Sequence, residues 1–406
     1  MRSWHEVQAS SRRLGRALTH WARPGVRHLR CIAIVCNALV LPSARAETPR
    51  VQAVNVVPLT MHTPRHGFNR MVISIDLCAP GTTRCVTIDE VMVDTGSTGL
   101  RIEPGVLPSS LGLRPMLGEG AAPLGECVRF VHDQAWGFLA RADLHLGGMV
   151  APNLPIQLIS PDDEPHPSQC PASNVSPTSN ATLGIGPLTD CPDPCDGSGP
   201  GASYFACPPD GCRPIRMEAA DRLPNPVWRL PRHNSGVVFE LPGVPPEGSG
   251  GVTGRLIFGI DTADNNRIDA MHVLRLDAFG RFTSVMAGRP YPHSSIDSGT
   301  TTMVVPADDF RRCERIPWAL CASPVRRVEA EMVGADGGRI GASFRVGDFA
   351  ALTRPGIGAV DGVAVAAPAA ARGLVWGAPL FLGKRVAFGF ETPVGGGAFY
   401  GFRDQP

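Results

Sequence analysis

Lysine is almost missing from this chain: Lys384 is the only one, against 37 arginines. Tyrosine is nearly as scarce, at Tyr204, Tyr291 and Tyr400. The formal net charge is only +1, which leaves no electrostatic footprint for nucleic acid or an anionic surface. The apolar stretch at 31–41 has 11 residues, short of the roughly 20 needed to span a bilayer, and no later segment is longer in the required way. There is no His-Glu-x-x-His pair, no phosphate-cradling glycine loop and no Gly-x-Ser-x-Gly string. Zinc-protease, phosphate-loop and serine-hydrolase chemistries therefore have no footing, and no metal or cofactor is expected.

What the chain has in quantity is glycine and proline, 46 and 40 residues. Apolar and polar residues alternate in short runs throughout, which argues against disorder and for an all-β protein with many turns. The arginine bias reads as a GC-rich, bacterial gene. Seven arginines fall in the first 30 residues, then comes the apolar stretch, then Ala44-Arg45-Ala46 as a small-x-small cleavage site before Glu47. Residues 1–46 are therefore expected to be a cleaved signal peptide that delivers the protein to the periplasm or outside the cell. A single membrane anchor is the competing reading. Ten of the twelve cysteines follow the signal, an even number that argues for disulfides in an oxidising compartment. Cys78 and Cys85 are spaced to staple a hairpin, and Cys313 and Cys321 a small loop. Cys191, Cys195, Cys207 and Cys212 fit either disulfides, the preferred reading, or a four-thiolate zinc site.

Two strings carry chemistry. Val93-Asp94-Thr95-Gly96-Ser97 and Ile296-Asp297-Ser298-Gly299-Thr300 each follow an apolar run with aspartate, hydroxyl, glycine and hydroxyl, and the aspartates stand 203 residues apart. An apolar–glycine segment follows each, with Gly184 90 residues after Asp94 and Gly377 80 residues after Asp297. Either string alone is an ordinary turn signal. Together they describe a degenerate internal duplication, one lobe built twice. Two carboxyl groups held within hydrogen-bond distance cannot both ionise easily, so one keeps a proton while the other acts as base, and the pair titrates as a unit. Such a pair can take a proton from a water attacking an amide carbonyl and supply one to the leaving amine. Gly96 and Gly299 would let the loops approach without Cβ clashes. Ser97 and Thr300 would donate to the outer carboxylate oxygens, and Thr95 and Ser298 would tie the loops across the lobe interface.

With these strings the chain resembles the pepsin-like aspartic proteases, from residue 67 to residue 403. Leu256-Ile257-Phe258-Gly259-Ile260-Asp261 resembles the strand and turn that open that family's second lobe. Leu374-Val375-Trp376-Gly377-Ala378-Pro379-Leu380-Phe381-Leu382 resembles its final apolar–glycine motif. The run at 87–102, with Glu126-Cys127-Val128-Arg129-Phe130-Val131 and Tyr204-Phe205-Ala206-Cys207-Pro208, is similar to a family of exported proteobacterial proteins of unknown function. The resemblance implies a bilobal, pepsin-like double β-barrel with a cleft between the lobes and Asp94 and Asp297 as its catalytic pair. The chain departs from the pepsin-like pattern in three ways, the first being a leader without an obvious basic propeptide. Arg101 stands where a tryptophan follows the first loop, and no tyrosine falls in the flap region at 130–138. Phe130 and Trp136 are the candidates to cover the cleft instead.

The expected plan is a signal peptide at 1–46, a polar leader without regular structure at 47–66, a first lobe at 67–212, an inter-lobe connection at 213–235 and a second lobe at 236–406. The expected function is an exported endopeptidase that works as a monomer on peptide or protein substrates. Neither nucleic acid nor, after signal cleavage, a membrane-integral segment enters that expectation. The alternative is a non-catalytic module that binds peptides or envelope ligands in the same cleft. Asp261, Asp264, Asn265, Asn266 and Asp269 form a polar cluster. It lacks the glycine and terminal glutamate of a twelve-residue calcium loop and reads as a solvated turn.

Overall fold

The structure of the protein, a computed structural model, describes residues 53–405 apart from 64–66, 131–133, 162–165, 171–177, 191–202, 309, 369–370 and 392–395. The expected signal peptide lies outside the described residues, as do Cys191 and Cys195. Residues Val51–Pro406 form one compact unit. Its described part is nearly all β, with one sheet of fifteen strands and one of seven. A single α-helical turn, Phe349–Leu352, is the only α-helix among the described residues. No helix of the described residues is long and apolar enough to cross a membrane.

The hairpin read from alternation at the start of the first lobe forms from Arg70–Cys78 and Cys85–Asp94, closed by a Cys78–Cys85 disulfide. Ile73, Ile75 and Leu77 are buried while Ser74 and Asp76 face solvent, the period-two burial of a strand with one face on the core. The second strand of this hairpin runs unbroken to Asp94.

Each lobe repeats one local topology. Cys85–Asp94 lies parallel to Ala181–Ile185, with Asp94 opposite Gly184, and Thr98–Ile102 lies antiparallel on that strand's other side. In the second lobe Arg289–Ile296 lies parallel to Val375–Trp376, with Ile296 opposite Trp376, and Met303–Val305 pairs antiparallel with it. The chain enters on one side of the apolar–glycine segment and leaves on the other, so an active loop is held between two ladders. Glycine is needed where the segment passes under the loop. A Cβ on Gly184 would lie 2.8 Å from Ser97 Oγ, and one on Gly377 would lie 2.0 Å from the Thr302 carbonyl oxygen.

The leader expected to lack structure is corrected. Val56–His62 is a strand, paired antiparallel both with Arg70–Cys78 and with Val252–Phe258 of the second half. It joins the two halves into one sheet. Leu59 and Met61 are fully buried, and the cause is alternation of Val57, Leu59 and Met61 with Pro58 and Thr60. Pro58 is tolerated because the Arg70–Cys78 strand pairs only with Thr60, Met61 and His62, so on that flank no ladder bond is asked of Pro58. At the other end of the first half, Met217 and Leu223 pack with Tyr204, Leu124 and Leu139, and Arg213–Pro214 pairs with Tyr204–Ala206.

Cys313–Cys321 forms as its spacing suggested, and Cys127–Cys170 and Cys207–Cys212 form in addition. The Cys207–Cys212 bond removes the four-thiolate zinc option, because disulfide sulfurs offer no thiolate to a metal. In the polar cluster, Asn266 is buried, accepts from the Thr262 and Ala263 N–H groups and donates to the Phe258 carbonyl, while Asp261 accepts from the Ile268 N–H.

Candidate active site

The two active loops meet face to face. Asp94 sits at the end of its strand, and the Gly96 N–H donates to its Oδ1 at 2.8 Å while the Ser97 hydroxyl donates to its Oδ2. Asp297 is held in the same way: the Gly299 N–H reaches Oδ1 at 2.7 Å and the Thr300 hydroxyl reaches Oδ2 at 2.6 Å. The glycine of each loop lies against the other loop's carboxyl group, and the charge of Asp297 acts on Asp94. The glycines make that approach possible. A Cβ on Gly96 would be 2.6 Å from Asp297 Cγ, and one on Gly299 would be 2.6 Å from Asp94 Oδ1. Beneath the second loop the Asp297 N–H donates to the Trp376 carbonyl at 3.0 Å, and the buried Trp376 indole is fixed by Ser284 Oγ at 3.0 Å.

Thr95 and Ser298 are buried and exchange hydrogen bonds across the lobes. The Thr95 N–H donates to Ser298 Oγ at 3.0 Å, and the Ser298 N–H donates to Thr95 Oγ1 at 2.9 Å. Each hydroxyl then donates onward to the other loop's strand, Ser298 to the Val93 carbonyl and Thr95 to the Ile296 carbonyl. All eight loop residues singled out in the sequence are thus brought together. Burial pushes the Asp94 carboxyl up to about 7, the negative charge of Asp297 adds to the rise, and the Ser97 and Gly96 bonds oppose it.

Arg101, in the place of the expected tryptophan, leaves the first loop on Thr98–Ile102 and is buried at 4 % exposure. It donates to both oxygens of Glu126, at 3.0 and 3.2 Å, and to the Thr98 carbonyl at 2.7 Å. Glu126, 5 % exposed, belongs to Leu124–Arg129, the first strand of the hairpin completed by Gln134–Leu146. A buried ion pair therefore links the active loop's exit to that hairpin.

The chain matches the family described as "Protein of unknown function (DUF3443)" over residues 51–402. It belongs to that family. No curated protein matches it. Among solved structures it is similar to the aspartic proteinase from Irpex lacteus, with a TM-score of 0.53 over 87 % of this chain and 98 % of that one. The identity is 13 %, so the likeness is one of fold, bilobal and pepsin-like.

In this member of the DUF3443 family the two cleft-cover candidates part company. Trp136 is buried at 5 % exposure and packs edge-on against Phe138 and Phe205, beside Cys127 and Cys170. It stands opposite Cys127 in the hairpin register, so it points into a satellite core and is corrected as a cover. Phe130, just beyond the strand Leu124–Arg129, is exposed. The next three residues of that turn lie outside the described ones. Among the described residues, one group of His, Cys, Asp or Glu side chains is close enough to hold a metal ion, Cys78, Cys85 and His145, and both of its cysteines are in a disulfide.

Two site residues were not singled out in the sequence. Asn69, buried with a positive φ of 54°, donates to the Thr301 carbonyl at 3.0 Å and to the Val360 carbonyl at 2.8 Å. It pins the start of the strand Arg70–Cys78 onto the second active loop. Arg70 follows it and reaches toward Gly299. No local pattern marks either, because their partners in the second lobe, Thr301 and Gly299, lie more than 200 residues away in sequence.

Proposed function

We propose that the protein is an exported aspartic endopeptidase in which Asp94 and Asp297 activate a water against a peptide carbonyl. The observation that carries this reading is the pair of carboxyl groups brought face to face, each held by a glycine N–H and a hydroxyl from mirrored loops and each lying against the other loop's glycine. One carboxylate takes a proton from the attacking water, and the protonated partner gives its proton to the carbonyl oxygen. The tetrahedral diol then collapses: one of its hydroxyls returns a proton to the aspartate that had given one up, the C–N bond breaks, and the leaving nitrogen takes the proton that the other aspartate had drawn from water. In each carboxyl group the hydroxyl holds Oδ2 and the glycine N–H holds Oδ1, which fixes the orientation of both groups toward an attacking water. Both aspartates come from one chain, so a monomer suffices. Four disulfides among the described residues favour an oxidising compartment, in keeping with a periplasmic or secreted protein.

The test is cleavage of a randomised peptide library by folded, disulfide-intact protein between pH 3 and 8, beside Asp94→Asn, Asp297→Asn and a transition-state-mimicking inhibitor. Cleavage lost in all three supports the reading, and cleavage that survives Asp94→Asn with Asp297→Asn removes it. The second reading, a non-catalytic cleft for peptides or envelope ligands, draws on the inward packing of Trp136. Peptide binding without cleavage at any pH would favour it.

A further inference from the structure

The strand Arg70–Cys78 pairs with Cys85–Asp94 through Val72 opposite Met92 and Ile73 opposite Val91. Arg70 opens that strand, two residues before Val72. Its Nη1 donates to the thioether sulfur of Met92 at 2.9 Å and reaches the Gly299 carbonyl at 3.5 Å. Its Nε is buried without a hydrogen-bond partner. Among the described residues no carboxylate pairs with it directly, so a guanidinium that keeps its charge at any working pH has been placed against weak neutral acceptors. Burying an unpaired cation is unfavourable unless a negative charge lies near. The negative charges that act on it are those of Asp94 and Asp297. Gly299, whose carbonyl the guanidinium approaches, gives its N–H to Asp297, and a Cβ on it would lie 2.6 Å from Asp94 Oδ1.

The other charged and titratable groups around the pair are engaged elsewhere. His62, Arg70's partner on the strand Val56–His62, pairs with Glu90 at 3.1 Å. Arg101 at the exit of the first loop is held by Glu126. Tyr400, which feels Asp297, is buried and held neutral well above physiological pH. Burial lowers the Arg70 guanidinium, and Asp94 and Asp297 pull it back up.

We infer that Arg70, whose guanidinium reaches the Gly299 carbonyl of the second loop, is the counter-ion of the aspartate pair, and that it favours the pair's singly charged state over its doubly protonated one. Arg70 acts through Asp94 and Asp297 and is a positioning residue. The inference deepens the proposed function, but its deciding measurement needs no turnover. Protein carrying carboxyl-¹³C aspartate is titrated by NMR, with Asp94→Asn and Asp297→Asn assigning the two signals. In Arg70→Met both apparent pKa values rise by about one unit, and Arg70→Lys, which keeps the charge, restores most of the wild-type titration. If Arg70→Met does not fold, Arg70→Gln, neutral and still able to donate to Met92, is expected to show the same rise. Where cleavage is measured, both limbs of the pH–rate profile move to higher pH in Arg70→Met. A titration unchanged in the neutral variants, or shifted equally in Arg70→Lys, overturns the counter-ion role. Absence of cleavage in the wild-type protein removes the peptidase reading and leaves the titration to decide this one.

Discussion

Thr95 and Ser298 exchange backbone-to-hydroxyl hydrogen bonds at 3.0 and 2.9 Å, joining two loops that lie 203 residues apart in the chain. Because each hydroxyl also donates to the opposite strand, neither residue can be removed without leaving buried groups of the other loop unpaired. Ser298→Ala strands the Thr95 N–H and the Val93 carbonyl. It is expected to cost about 1–3 kcal/mol of stability, read from urea unfolding. If cleavage is present, kcat falls more than KM changes, since what loosens is the alignment of the carboxyl pair rather than the substrate groove. A variant as stable as wild type would show that the exchanged bonds contribute nothing net.

The raised Asp94 carboxyl has a consequence for stability that carries a sign. Its pKa in the folded protein, about 7, lies above the ordinary carboxylate value, so the folded state holds the proton more tightly than the unfolded one. The stability this contributes is fully present below pH 4 or so and is lost as pH rises through about 7. Asp94→Asn is neutral throughout and escapes that loss. Relative to wild type it is expected to gain up to about 4 kcal/mol between pH 4 and pH 8, less where the coupled Asp297 absorbs part of the effect. Thermal melts of both proteins across that range check the prediction, and parallel curves would refute it. In a working enzyme the same titration places the alkaline limb of the rate near pH 7, because the pair's shared proton leaves there.

Arg101 and Glu126 form a buried pair in which Arg101 Nη2 contacts both carboxylate oxygens. Glu126→Gln leaves a buried guanidinium without its charge partner and is expected to destabilise by about 3–5 kcal/mol. Replacing both partners with apolar residues, Arg101→Met with Glu126→Leu, is expected to recover much of that loss. Denaturant unfolding of the single and double variants decides it. A double variant worse than the sum of its singles would contradict the argument.

The Cys127–Cys170 disulfide closes a loop of 43 residues on the hairpin that also carries Glu126. Replacing both cysteines by alanine is expected to cost about 4 kcal/mol by loop-closure entropy. The shorter Cys78–Cys85 link, spanning 7 residues, is expected to cost less by the same measure. Thermal unfolding of each double variant gives the order, and a reversed order would indicate that strain or unfolded-state structure outweighs loop length.

The active loops could be read from sequence because every contact that shapes each one is local: aspartate, the hydroxyl three residues on and the glycine between them bond within a single turn. The first hairpin was equally readable, since alternation of Ile73, Ile75 and Leu77 states a buried face on its own terms. Val56–His62 is hard to read from sequence because Pro58 and the polar residues around it hide a three-residue alternation. Its stability comes from strands of both halves. Trp136 shows a further limit. Its side-chain parity along the strand is evident from sequence, but which face of the hairpin meets the Cys127–Cys170 cluster is not.

Sequence alone determined that two aspartate loops exist, that each rests on an apolar–glycine segment, and that the chain is a duplicated, disulfide-bearing all-β protein. These follow from periodicity and from strings a few residues long. Only the tertiary structure decided that Arg101 is neutralised by Glu126, that Trp136 belongs to a core, and that the cation beside the carboxyl pair is Arg70. The reason is physical. Charge and burial depend on what lies within a few ångströms, and Arg70 and Gly299 become neighbours only when a strand of the first lobe is laid against a loop of the second.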